Sequence, residues 1–326
     1  MTENRFDYLN GKSDSFIVSH GLVEQTPEEV AMENVLMSSA RSLSTMWRSV
    51  DDTKKIIVWD TAFEEYLEHR KLVIDMAPLG TYFPWNIQKE KGIQLVNGYS
   101  LNQGAQGSCA GAAKRNALLG SDLVNAKFAG YNGVTETGVD MVYAMARGNG
   151  RLNWGGGCNG TPLVKYGTEI GNYRTADVGK YDPRGSNVTQ ANFNNPTFKA
   201  NALLHQSICC FLPDVAFETF YKVCSAGLSI WIGSPSFPAS ATIQGGISRV
   251  SNWTNGAHAT CFQLGIEDTA KLLYFQNSHG ERYAKDKDKF DTPRSGTWID
   301  KGQFAQFKIR KEYGTPFVVF GELIAL

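Results

Sequence analysis

Glycine content changes near residue 90, and this change constrains the fold more than any other feature of the sequence. Before it, Thr26–Val50 and Asp60–Ile74 are rich in residues that favour helix and contain few glycines. From Gly92 onward glycine is frequent, and three short segments have the composition of strands. These segments are Leu228–Ile232, Leu272–Phe275 and Phe317–Phe320. The sequence therefore predicts an α+β fold, with a mainly helical extension (residues 1–90) before a mixed domain (residues 91–326).

Charge and hydropathy exclude several classes of partner. The 326 residues include 32 basic and 32 acidic side chains, so there is no net charge to attract nucleic acid or a membrane surface. Met1–Asn10 lacks the basic start and apolar stretch of a secretory signal. No apolar run reaches the roughly 18 residues that predict a membrane span. We expect neither a nucleic-acid nor a membrane partner.

Six cysteines in 326 residues are too few for a disulfide-stapled scaffold, and none forms a CxxC pair. This favours the cytoplasm or another reducing compartment. The sequence also lacks a GxxxxGK[ST] phosphate loop and an HExxH zinc motif. We therefore expect no cofactor and no metal.

Cys109 follows Ser108 at the predicted start of an alanine-rich helix. Backbone N–H groups and the helix dipole stabilise a thiolate at such a position, which suits a nucleophile. Most cysteines in helices are small buried hydrophobic residues, and that alternative stays open for Cys109 taken alone.

The eight residues that end at Cys109, NQGAQGSC, resemble the nucleophile motif of the papain and cathepsin family of cysteine peptidases. The resemblance implies that Gln103, six residues before the cysteine, helps to form the oxyanion hole. Its side-chain amide and the Cys109 N–H would then stabilise the negative oxygen that develops when a thiolate attacks a carbonyl. The alternative for Gln103 is an ordinary loop amide.

Two further segments resemble the same family in the same chain order. His258, in NGAHA, corresponds to the family's catalytic histidine, and Asn277, in YFQNSHG, to the asparagine that orients it. The asparagine oxygen would fix the histidine tautomer and leave the other ring nitrogen for the thiol. A packed histidine and a turn asparagine are the alternatives.

The glycine-rich loop between Gly148 and Gly160 contains a fourth match, GCNG, which resembles the family's substrate loop. The resemblance implies that peptide substrates pair with this backbone, where glycine allows close approach. Thr161 replaces the final glycine of the family motif. The predicted substrate-binding residues are Gly157, Cys158, Gly160, Thr161 and Ala257. A flexible surface loop is the alternative.

The resemblance implies a papain-like fold of two lobes. The helical lobe, about residues 101–225, would carry the nucleophile helix, and the β lobe, about 226–326, would carry the histidine and the asparagine. Residues 1–90 stand where the family has an inhibitory propeptide but lack its spaced helix motif. They are predicted to be either a pro-segment or a structural arm.

The sequence departs from the family pattern at several positions. Ala110 and His279 stand where the family has tryptophans, which predicts a wetter site. Gln106 stands where a cysteine would pair with Cys158, so that disulfide cannot form. One extra residue between His258 and Gly265 predicts a strand bulge.

Together these patterns predict a cysteine peptidase that acts on polypeptides. An amidase or transglutaminase with the same chemistry is a further possibility. The alternative from a different class is a structural or assembly protein, such as a component of a virus particle, whose papain-like domain has limited or no activity. The long extension and the altered cover of the site motivate this alternative.

Overall fold

The structure is a computed structural model that describes residues 22–40, 55–104, 106–130, 133–281, 283 and 287–322. These residues form helices and one seven-stranded sheet. The helices are α1 (Pro27–Ser38), α2 (Thr61–Asp75), α3 (Pro84–Glu90), α4 (Cys109–Phe128), α5 (Val139–Arg147), α6 (Gly160–Glu169), α7 (Thr175–Val178), α8 (Gln190–Asn194), α9 (Pro196–Leu204), α10 (Phe217–Ser225) and α11 (Lys301–Phe304). The strands are β1 (Ile56–Ile57), β2 (Ser207–Phe211), β3 (Ser229–Gln244), β4 (Ile247–Glu267), β5 (Lys271–Gln276), β6 (Gly296–Ile299) and β7 (Phe317–Glu322). The predicted α+β class is confirmed.

Both helices predicted before residue 90 are present where the structure describes the chain. Thr26 caps α1 and forms a reciprocal capping box with Glu29, which satisfies two backbone donors at that end. Asp60 caps α2 by accepting a hydrogen bond from the Phe63 N–H. Residues 41–50, the second half of the first predicted helix, lie outside the described residues.

The sheet runs in the order β1-β2-β7-β3-β4-β5-β6. All three predicted strand segments lie within β3, β5 and β7. The extension supplies β1, which pairs in parallel with β2 at the sheet edge. The range predicted for the helical lobe therefore contains a strand of this sheet, β2. The lobe and domain boundaries themselves stay predictions.

The predicted bulge lies at Gln263 on β4. Phe262 pairs with Phe275 and Leu264 with Tyr274, so Gln263 has no partner residue on β5. Its buried side chain donates a hydrogen bond to the Asn116 carbonyl of α4. The bulge thus joins the strand that carries His258 to the helix that Cys109 begins.

Helix α4, which begins at Cys109, lies almost wholly inside the protein, against β3, β4 and β7. Gly120 permits this close approach, because a Cβ there would lie 2.6 Å from Ser229 Oγ. Two charged side chains of α4 are buried with partners. Lys114 donates to the Leu163 carbonyl at 2.8 Å, and Arg115 forms an ion pair with Glu136.

The predicted glycine loop ends one residue earlier than expected. Asn159 accepts a hydrogen bond from the Thr161 N–H and caps α6, so Gly160 is already the first residue of a helix. Gly155, Gly156 and Gly157 have φ values of 85–90°, a backbone region that favours glycine.

Candidate active site

The Cys109 side chain lies at the first residue of α4 and is fully buried. Its Sγ accepts a hydrogen bond from the Ala259 N–H at 3.4 Å. A helix N-terminus favours a thiolate. Here burial dominates and raises the pKa of the Cys109 thiol to about 12, because a charged sulfur would be poorly solvated. Cys109 is a neutral thiol in this arrangement.

The His258 ring lies on β4, next to Ala259, and is also fully buried. Phe237 packs against it at a centroid distance of 4.5 Å, and His279 stacks on it at 4.9 Å and 12°. Burial lowers the pKa of His258 to about 3, with a further lowering from the charge of His279, while the hydrogen bond with Asn277 opposes the shift. The imidazole is therefore neutral.

The expected wetter site is wrong for this structure. Cys109 and His258 are both fully buried, and Asn277 is 2% exposed. His279, 8% exposed, covers the His258 ring where the family has a tryptophan, and Phe237 adds apolar cover. A stacked imidazole can exclude water from a ring as an indole does.

Asn277 follows β5 and contacts His258 as the resemblance implied. The distance between Asn277 Oδ1 and His258 Nε2 is 2.7 Å. Because an amide oxygen can only accept, Nε2 carries the proton and Nδ1 of the neutral ring carries a lone pair. Among the described residues Nδ1 has no hydrogen-bond partner. Cys109 and His258 therefore form no hydrogen bond to each other here, and Sγ instead accepts one from the Ala259 N–H.

Gln103 is 2% exposed and is held beside the strand end that carries Asn277. Its backbone N–H donates to the Ser278 carbonyl at 2.7 Å, and its Oε1 accepts from the Ser278 hydroxyl. Nε2 donates one hydrogen to the Gln106 carbonyl at 2.8 Å. The other hydrogen has no acceptor among the described residues, so it is available to an oxyanion.

The predicted substrate residues do not all lie in an extended loop. The Gly157 N–H donates to the Tyr143 hydroxyl at 2.9 Å, while Gly160 and Thr161 form the first turn of α6. Cys158 alone among them forms a β-bridge. Ala257, partly buried on β4, packs against the apolar cluster that contains Cys109.

An N-terminal arm, residues 22–38, crosses this loop. Leu22 forms a parallel β-bridge with Cys158, and the Val23 N–H donates to the Cys158 carbonyl at 3.4 Å. Leu22 is 2% exposed and belongs to the same apolar cluster as Cys109. Its Cδ2 would lie 2.9 Å from a Cβ on Gly233. The arm thus pairs with the backbone where a peptide was predicted to bind, and it packs into the apolar cluster that contains Cys109.

Two carboxylates of α1 hold the arm on this surface. Glu29 accepts from Asn159 Nδ2 at 2.7 Å. Glu33 is 8% exposed and accepts hydrogen bonds from Thr161 Oγ1 at 2.6 Å and from the Thr315 hydroxyl. Thr161, the residue that replaces the family's glycine, therefore serves as an anchor for the arm.

Sequence reasoning missed Phe237, Tyr283 and Glu33. Glu33 gave no signal because a carboxylate in a helix normally lies on a solvated face. Phe237 contacts His258 because of the path of β3. Tyr283 contacts Asn277 because of the path of the segment after β5. No spacing rule in the sequence identifies them.

Two negative findings concern the described ranges only. They contain no group of three or more His, Cys, Asp or Glu side chains placed to bind a metal ion. They also include no helix with the length and apolar character needed to cross a membrane.

The described residues have a mixed α+β fold, and the motifs that resemble the papain and cathepsin family stand in that family's chain order. No protein-family model and no curated protein sequence matches the chain. Solved structures similar to it include xylellain, a cysteine protease from Xylella fastidiosa, with 14% identity, TM-score 0.49, and coverage of 68% of this chain and 82% of that one.

Two further similar structures cover a larger share of this chain. The proform of Amb a 11, a cysteine protease and ragweed pollen allergen, has 14% identity and TM-score 0.46, and the match covers 93% of this chain and 90% of that one. Procathepsin B S9 from Trypanosoma congolense has 11% identity, TM-score 0.49 and 99% coverage of both chains.

Proposed function

We propose that the chain is a cysteine peptidase that hydrolyses peptide bonds of polypeptide substrates through Cys109, His258 and Asn277. One observation carries the proposal. The His258 ring is held by Asn277 in the tautomer that leaves Nδ1 with a lone pair, and the next residue, Ala259, touches the Cys109 sulfur. A nucleophile, a base and a group that orients the base are thus within one cluster.

The chemistry follows from these contacts. His258 Nδ1 takes the Cys109 proton, and the thiolate attacks the carbonyl carbon of the scissile peptide bond. The Cys109 N–H and the second Gln103 Nε2 hydrogen stabilise the oxyanion. His258 then protonates the leaving amine, and water, deprotonated by the same nitrogen, releases the acyl group.

Substrate binding requires the arm to leave, because Leu22 and Val23 cover the loop where the peptide is proposed to pair. Departure of the arm would admit water to Cys109 and His258. Solvation would move both pKa values back toward their ordinary range and favour the thiolate–imidazolium pair. The six cysteines of the chain are all buried and free, which suits the reducing compartment that we propose for it.

An epoxysuccinyl inhibitor tests the proposal. We would treat the full chain and a Glu29→Gln/Glu33→Gln variant, whose arm is weakened, and locate the adduct by mass spectrometry. We expect faster labelling in the variant, at Cys109, with labelling lost in Cys109→Ala and kept in Cys158→Ala. A folded variant with a displaced arm and an unlabelled Cys109 would show that the site is not a peptidase site.

The complete burial of Cys109 favours a second candidate function, a structural or assembly protein that never opens this site. In that case the arm is a permanent part of the domain. Sedimentation velocity of the purified chain distinguishes the two functions. A large, defined assembly with an unreactive Cys109 supports the assembly function, and a small species with a reactive Cys109 supports the peptidase.

A further inference from the structure

The Tyr283 hydroxyl lies between the candidate site and strand β3. It accepts a hydrogen bond from Asn277 Nδ2 at 2.5 Å and donates one to the Pro238 carbonyl at 2.7 Å. The side chain is 7% exposed, and its ring packs edge-on against Phe275 at 6.4 Å. This contact between Tyr283 and Asn277 has no part in the chemistry proposed above.

The chemistry of the groups fixes the direction of each hydrogen bond between Pro238, Tyr283, Asn277 and His258. The Pro238 carbonyl can only accept, so the single hydrogen of the Tyr283 hydroxyl points toward it. The Tyr283 oxygen therefore presents lone pairs to Asn277, and only the NH₂ end of that amide can face it. The oxygen end of Asn277 must then face His258.

Orientation of the amide sets the histidine tautomer. With Asn277 Oδ1 toward Nε2 of His258, the neutral ring carries its proton on Nε2 and leaves Nδ1 free to accept the Cys109 proton. If the amide were rotated by 180°, its NH₂ would face Nε2, and the proton would move to Nδ1. A ring in that tautomer cannot act as the base.

We propose that Tyr283 is a positioning residue, whose hydroxyl fixes the Asn277 amide and through it the His258 tautomer needed for proton transfer from Cys109. This inference rests on the proposed peptidase function of the site. The Ser278 N–H also donates to Asn277 Oδ1, at 2.7 Å, and favours the same orientation. Loss of the hydroxyl should therefore weaken the preference rather than reverse it fully.

The test is Tyr283→Phe in the full-length chain, with ¹⁵N-labelled histidine. We expect the wild-type His258 spectrum to show protonated Nε2 and bare Nδ1, and the variant to show a substantial fraction of the other tautomer. In an arm-weakened Glu33→Ala background, the rate of Cys109 labelling at neutral pH should fall about tenfold, the lower end of the effect of losing a partner that orients a metal-binding histidine.

Two further variants separate positioning from simple loss of packing. Tyr173→Phe is the matched control, since Tyr173 is 1% exposed and its hydroxyl has no hydrogen-bond partner among the described residues. It should leave the His258 tautomer unchanged. Asn277→Asp added to Tyr283→Phe should restore protonated Nε2, because a carboxylate presents oxygen to His258 in either orientation.

The proposal is overturned if Tyr283→Phe keeps the wild-type tautomer, if Tyr173→Phe shifts it equally, or if Asn277→Asp gives no rescue. Should Tyr283→Phe fail to fold, the wild-type protein gives a second measurement. Nuclear Overhauser contacts from the Asn277 NH₂ protons to the Tyr283 ring support the proposal, and contacts to the His258 ring instead refute it. A normal tautomer response with an unreactive Cys109 would refute only the peptidase function.

Discussion

Two stretches of chain before the nucleophile helix contact the rest of the protein in different ways. The N-terminal arm is attached by two buried apolar side chains, Leu22 and Leu36, and by carboxylates that reach polar partners. Its helix α1 leaves Val30 and Val35 45% and 64% exposed. Residues 55–90 instead place whole aromatic side chains in the core, with Phe63 and Phe83 fully buried.

Residues 55–90 also add a strand to the sheet and pack an aromatic side chain against it. β1 pairs with β2, and Trp85 packs against Tyr274 at a centroid distance of 4.9 Å. Apolar burial of this kind is the main source of stability, whereas two apolar side chains and a few hydrogen bonds hold a segment more weakly. We infer that the region before residue 91 is two units, a detachable arm and a permanent part of the domain.

Truncation gives the largest expected effect. Deleting residues 1–90 removes Phe63, Leu67, Phe83 and Trp85 from the core, so we expect no cooperative unfolding transition by circular dichroism. Deleting residues 1–40 should leave a cooperative transition and make Cys109 reactive toward the epoxysuccinyl inhibitor. Equal behaviour of the two truncations would contradict the division into two units.

Truncation of one side chain in each unit should give the second largest change in stability. Phe63, on α2, packs against Phe320 at 5.2 Å, so Phe63→Ala should lower the free energy of unfolding by about 3–5 kcal/mol. The matched change on the arm, Val35→Ala, removes an exposed side chain and should cost less than about 0.5 kcal/mol. Urea denaturation measures both. A large loss for Val35→Ala would mean that the arm is part of the core.

Much of this architecture was predictable because it depends on local composition. The helix that begins at Cys109 and the strands in β3, β5 and β7 followed from residue types. The bulge near Gln263 followed from the extra residue that the resemblance shows between His258 and Gly265. The contact between His258 and Asn277 was implied by the resemblance to the papain and cathepsin family. The helix and the strands repeat patterns that a short window of sequence can express.

The closure of the site was not predictable, because it depends on contacts between residues far apart in the chain. Glu33 meets Thr161 and Thr315 across 128 and 282 positions, and Tyr283 meets Pro238 across 45. The substitution of His279 for tryptophan predicted a wetter site, but the ring stacks on His258 and keeps it dry. Only the three-dimensional packing decides between those outcomes.

Loss of the Glu33 carboxylate, which anchors the arm, should give the third largest effect. Glu33→Ala removes the carboxylate that accepts from Thr161 and Thr315 and leaves their hydroxyls buried without this partner. We expect the docking of the arm to weaken by about 2–4 kcal/mol. The measurement is hydrogen exchange, with faster exchange in α1 and unchanged exchange in α2. Glu28→Ala, an exposed position on the same helix, is the matched control, and an equal change there would contradict the assigned role of Glu33.

Lowering the pH should give the smallest effect, a weaker closure of the site. It tests whether the arm opens separately from the rest of the domain. Burial lowers the pKa of His258 from 6.5 to about 3 in the closed site. Below pH 6.5 the open or unfolded chain therefore binds more protons than the closed one, and closure loses at most about 2 kcal/mol between pH 6.5 and 5. Hydrogen exchange in α1 should accelerate between pH 6.5 and 5, before exchange in α2 does.

This acid response should vanish in His258→Gln and persist in His69→Gln, which changes an exposed histidine on α2. If α1 and α2 accelerate together in the wild type, the closed site and the core open as one, and the arm is not a separate unit. If His258→Gln keeps the full response, another group drives it. Exchange that is faster in α1 alone and dependent on His258 would mean that solvation of the site and release of the arm are the same event.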